Sequence, residues 1–173
     1  MKSSVASSEL SAQKVVAQIR KVRKAAEKAS ESHRRFADYR YLRAVLRAYR
    51  YFDDNNLLPH LLETAPSLLM TPVRADWHPL RVIIEATCLQ PECRVRSRWT
   101  RGLEYAVGEG IDPKELSRFI RAHNGIAGCA DLASKTRPKR NRYRERLDSF
   151  SPRTENPPPT PTWLHRPSRA ICE

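Results

Sequence analysis

The chain has 173 residues, enough for one domain with an ordinary core plus tails. Its 32 Lys and Arg against 19 Asp and Glu give a net charge of +13, and so basic a chain is most simply explained by a polyanionic partner. No apolar run approaches the ~20 residues of a membrane span, which sets a membrane protein aside. The four cysteines (Cys88, Cys93, Cys129 and Cys172) lack the spacing of a disulfide scaffold, so a reducing, cytoplasmic compartment is expected.

Residues 1–9 are polar and read as a disordered start without the apolar segment of a secretory signal. From Leu10 to Ala29, Val15, Ile19, Val22 and Ala26 recur at helical spacing among lysines and arginines. So thin a stripe predicts a docking arm or a helix of marginal stability on its own.

Residues 34–52 carry the clearest pattern. Phe36, Tyr39, Leu42, Val45, Leu46, Tyr49 and Phe52 share one face of a helix, while Arg40, Arg43, Arg47 and Arg50 form a second, wholly basic one. Tyr39 and Tyr49 are expected in the core, leaving Tyr41 and Tyr51 freer for base stacking. Asp53-Asp54-Asn55-Asn56 ends the helix. Pro59, Pro66 and Pro72 then limit residues 57–75 to short helical pieces.

Asp76-Trp77-His78-Pro79 predicts a helix start, with Asp76 as a capping candidate and Pro79 in the first turn. The apolar run 80–89 reads as a buried helix ahead of a short β-strand. Residues 92–107 predict a helix with Trp99 inward and Arg94, Arg98 and Arg101 outward, ended by Gly108 and Gly110. Asp112-Pro113 opens another helix that stops near Asn124-Gly125, and Ile126 to Ala133 form a last one.

Within residues 116–146, the small residues Gly125, Ala127, Gly128 and Ala130 follow a turn at the place where crossing helices need them. The stretch distantly resembles the Fis-type helix-turn-helix. That resemblance implies a DNA-reading helix carrying Arg140, Arg142, Arg144 and Arg146. It departs from the family at Ala133-Ser134, where Leu-Gly is usual, and at Pro138, where the reading helix would begin. The other reading of the stretch is two ordinary core helices followed by a basic tail. Beyond Ser134 a basic run (Lys135, Arg137, Lys139, Arg140, Arg142) gives way to a Pro-rich stretch that cannot repay the entropy of ordering.

The expected architecture is therefore all-α: one helical domain over residues 10–133 with about five to six helices, and a disordered basic, Pro-rich tail over 134–173. Positive charge comes in blocks. Residues 34–52 hold six arginines and one acid, and residues 93–101 hold four arginines and no acid. Such blocks suggest a nucleic-acid footprint, DNA ahead of RNA, with phosphates contacted by Arg40, Arg43, Arg47, Arg50, Arg94, Arg98, Arg101 and the basic run. A small regulator or a mobile-element accessory factor fits this class. The reading requires the guanidinium groups of the two helices to converge into one patch that no carboxylate cancels, and Asp53, Glu63 and Glu85 are the acids able to cancel it.

No phosphate-cradling Gly-rich loop, His-Glu-x-x-His or nucleophile elbow is present, so no enzyme and no cofactor are expected. Cys88-x4-Cys93 is too loose a pair to predict a structural zinc. Two rivals stay open. One is an interaction module whose basic faces and Pro157–Pro161 segment bind an acidic protein partner and a Pro-recognising domain. The other is a metal-dependent nuclease built on scattered carboxylates.

Overall fold

A computed structural model describes residues 2–32, 36–69, 73–74, 76–89 and 92–136, with side chains from Glu9 onward. Among these residues there are seven helices and no strand. They are α1 (Lys2–Ser30), α2 (Ala37–Asp54), α3 (Leu58–Leu68), α4 (Pro79–Thr87), α5 (Cys93–Gly108), α6 (Leu116–Ala122) and α7 (Gly125–Thr136). No helix among the described residues is long and apolar enough to cross a membrane.

The all-α expectation holds, and α3 is a short helical piece of the kind expected within residues 57–75. Pro59 sits in its first turn, where a missing N–H costs nothing, and Pro66 falls in its last turn. The expected boundaries shift at both ends. α1 starts at Lys2, so the helix extends over residues 2–9, which their polar composition reads as a disordered start. α7 continues through Thr136, taking residues 134–136 out of the expected tail.

α1 is a docked arm. Its single stripe of Val15, Ile19, Val22 and Ala26 is buried, and α1 lies chiefly along α2. Farther along the arm, the Arg23 guanidinium donates to the Ala86 carbonyl at 2.8 Å, tying α1 to the end of α4. α2 is the central element, with Leu42, Val45, Leu46 and Phe52 wholly buried. It ends in a Schellman turn: Asn56 takes a left-handed conformation (φ 53°) and the Leu57 N–H bonds the Phe52 carbonyl at 2.7 Å.

α4 is buried almost all round, through Leu80, Val82, Ile83, Ile84 and Ala86, which settles the helix over the strand. Its cap is not Asp76, which is exposed, but His78, whose Nδ1 accepts the Leu80 N–H at 3.2 Å. The residue next to Pro79 is already extended and two residues before the first orphan N–H, so its ring reaches that donor.

α7 packs most extensively on α5. The helices meet so closely at Gly102 that a β-carbon there would collide with the Ile126 side chain. Gly128 has a different constraint: a β-carbon would strike the His123 carbonyl oxygen of the turn joining α6 to α7. This turn is only His123 and Asn124, and both Asn124 (φ 58°) and Gly125 (φ 87°) are left-handed. Both readings of residues 116–146 contain this helix pair. The would-be reading helix, with Arg140, Arg142, Arg144 and Arg146, lies outside the described residues.

Candidate nucleic-acid interface

On α2 the helical repeat sorts the side chains into two faces. Tyr41, Leu42, Val45, Leu46, Ala48, Tyr49 and Phe52 turn inward, and Arg40, Arg43 and Arg47 are exposed on the opposite side. The C-terminal half of α1 lies beside that basic face. Between the two helices runs a groove of about 260 Å³. Its lining comprises Ala25, Lys28, Ala29 and Ser32 from the α1 side and Ala37, Arg40, Arg43, Ala44 and Arg47 from α2. The floor is alanine methyl and the rim is cationic.

Among the described residues no carboxylate lines this groove. The ion pairs among the described residues are His60–Glu63, Arg81–Glu85 and Arg96–Glu85, and none involves Lys28, Arg40, Arg43 or Arg47. Of the acids expected to cancel the stripe, Glu63 pairs with His60 and Glu85 pairs elsewhere. Asp53 bears on the end of α2 instead. Burial raises the Tyr49 phenol pKa, the Asp53 charge raises it further, and the Arg50 charge works against both. Arg50 is half-buried and outside the groove lining.

The arginines of α5 divide differently. Arg96 turns inward, where its Nε lies 2.9 Å from the Glu85 carboxylate. That carboxylate is only 10% exposed and also pairs with Arg81, one turn earlier on α4. Arg81 further donates to Ser97 Oγ at 2.8 Å and rests 5.7 Å from the centre of the Trp77 ring. Arg94 and Arg98 are exposed. Arg101 donates to Ser134 Oγ at 3.3 Å and borders a second cleft, of about 460 Å³, together with Arg74, Asp76, Trp77, His78 and Glu104. Charges of both signs line this cleft. It has no lining residue in common with the α1–α2 groove, and Arg94 and Arg98 border neither. The cations of α2 thus share a groove with Lys28 of α1, and no α5 arginine is among its described lining residues.

The sequence reading missed Lys28. Lys28 lies off the buried α1 stripe, one turn beyond Ala25, which also lines the groove, and its partner face could be known only once α1 was docked. Lys135 is exposed in the last turn of α7. Arg137, Lys139, Arg140 and Arg142 lie outside the described residues.

Tyr41 corrects an expectation. It is 2% exposed, packs 5.6 Å from the Trp99 ring and reaches Thr87 Oγ1 at 2.9 Å. Thr87 spends its hydroxyl hydrogen on the Ile83 carbonyl at 2.7 Å, so the Tyr41 hydroxyl is the donor. Burial, first of all, pushes this phenol far above its ordinary pKa, and the ring is closed to any base. Tyr51 is half-buried and packs against the core, as does Tyr39.

Cys93 is exposed, with its Sγ accepting from Arg81 at 3.6 Å, Cys88 is half-buried and Cys129 is buried. Among the described residues no three His, Cys, Asp or Glu gather as a metal site. No protein-family model, no curated protein and no solved structure matches this chain.

Proposed function

We propose that the protein binds nucleic acid without catalysing a reaction, holding phosphates in the groove between α1 and α2. One observation supports this above all. Lys28, Arg40, Arg43 and Arg47 line a single groove and take part in no ion pair among the described residues. Like charges one turn apart on a helix repel by a few tenths of a kcal/mol per pair. A phosphate backbone removes that cost, because each neutralised phosphate also releases counterions.

The test is a fluorescence-anisotropy titration of labelled DNA and RNA at several salt concentrations. Four groove contacts to duplex give a log–log salt slope of about 3.6, at roughly 0.9 per phosphate. Absence of salt-dependent binding below about 10 μM at low ionic strength, weaker than common non-specific binders, would falsify the reading.

One observation favours a second reading. Alanine methyls floor the groove, as an amphipathic acidic helix of a partner protein would require. The same titration separates the two, since such a module leaves free DNA and RNA unbound.

A further inference from the structure

We infer that the α1–α2 groove takes a double-stranded nucleic acid by its phosphates alone, without reading bases and in preference to a single strand. This rests on the nucleic-acid reading proposed above and narrows its substrate class.

Three features of the groove carry the inference. First, among the described residues it offers no stacking surface. Sequence-tolerant capture of single strands relies on aromatic rings against successive bases. The groove lining contains none. On α2, Tyr41 and Tyr49 are buried, and Tyr39 and Tyr51 pack on the core. Phe36, at the start of α2, is 42% exposed but stands outside the groove lining, with its ring toward Tyr39 and ring centres 5.0 Å apart.

Second, the groove lacks most of the groups that discriminate bases. Readout in the major groove uses Asn or Gln on adenine, Asp or Glu on cytosine and Arg on guanine. The described lining residues supply no carboxamide and no carboxylate. Its arginines spring from the rim around a floor of methyl groups, and no carboxylate among the described lining residues fixes their planes for a bidentate pairing.

Third, the charge spacing suits a duplex. Arg40 and Arg47 are two turns apart, about 10 Å along the helix axis. That length of duplex carries about six phosphate charges on its two strands, against about three on either strand alone. A cationic rim facing the denser array neutralises more charge, and a duplex does not have to be ordered first.

The experiment uses the full chain and two triple variants, R40A/R43A/R47A and R40K/R43K/R47K. Anisotropy is read on a mixed-sequence DNA duplex, an A·T-only duplex, a G·C-only duplex and the single strands of the first. Wild type is expected to bind the three duplexes within about threefold of one another, since backbone contacts carry no sequence information. The alanine variant should weaken all three by the same factor and lower the duplex salt slope by about 2.7, three contacts at roughly 0.9 each. Its effect on the single strand should be at least about tenfold smaller. The lysine variant keeps the charge but not the guanidinium fork, so it should bind duplex within about threefold of wild type.

Loss as great on single strands as on duplex overturns the inference. So does a loss that follows base composition, or a lysine variant as weak as the alanine one. Wild-type binding that neither triple variant alters places the contact elsewhere, which overturns the inference while nucleic-acid binding stands. If wild type binds none of the probes, the proposed function itself falls. Should the alanine variant fail to fold, as read by circular dichroism, the lysine variant and the wild-type duplex series still decide the question.

Discussion

Arg96 and Arg43 are the same residue on helices of the same domain, yet the fold treats them in opposite ways. Arg96, with Arg81, closes around Glu85 in a half-sealed space between α4 and α5. Arg43, with Arg40, Arg47 and Lys28, borders an open groove with no acid among its described lining residues. The first set is used up internally and holds two helices in register. The second carries charge that the fold does not need. Density of arginine in a sequence therefore says little until the position of each carboxylate is known. Here one carboxylate makes the difference.

That contrast can be broken from the Glu85 side. Glu85→Ala leaves two guanidinium groups facing each other with their anion gone. Removing one partner of a buried pair costs about 3–5 kcal/mol, and urea unfolding of the variant should reveal a loss of that order. A loss below about 1 kcal/mol would place Glu85 with the exposed pairs.

The next effects test the packing that holds both regions. Gly128→Ala forces a β-carbon onto the His123 carbonyl, where backbone must give way, and should cost about 1–3 kcal/mol. At Gly102 the obstacle is mainly the end of the Ile126 side chain, which can turn aside, so Gly102→Ala should cost less. Thermal melts of the two variants check this order.

Tyr41→Phe deletes the buried hydrogen bond to Thr87 and should cost about 1 kcal/mol at neutral pH. Its pH dependence is more telling. The folded-state pKa of Tyr41 lies above the ordinary 10.0, chiefly through burial. Stability from the neutral phenol is therefore complete below pH 10 and lost as pH rises above it, because the unfolded chain ionises first. The gap between wild type and Y41F should close on titration past pH 10, and a gap that stays constant there would count against a sealed phenol.

The smallest effect has the opposite sign. Arg43→Gln relieves repulsion from Arg40 and Arg47, with no ion pair lost, and should leave stability unchanged or raise it by a few tenths of a kcal/mol. Measurable destabilisation would mean that the α2 face has an internal partner after all.

Much of this molecule was legible in the chain. The spacing of Val15, Ile19, Val22 and Ala26 marked the α1 stripe, and that of Arg40, Arg43 and Arg47 put them on one side of α2. Those statements need only the 3.6-residue repeat. Tyr41 was misjudged because it lies at the edge of the apolar stripe, and whether an edge position is open depends on what packs there, in this case Trp99 and Thr87. The cap of α4 was misassigned by two residues, since Asp76 and His78 both have acceptors and only the backbone conformation next to Pro79 chooses between them.

By itself the sequence determined which residues share a helix face, because neighbours three and four apart are brought together by local hydrogen bonding alone. It also determined the excess of positive charge. Only the tertiary structure decided which arginines keep that charge available. Glu85 and Arg96 stand on different helices, and Lys28 meets Arg40 only when α1 lies against α2. Coulombic compensation falls off with distance through space, and spacing along the chain does not report that distance.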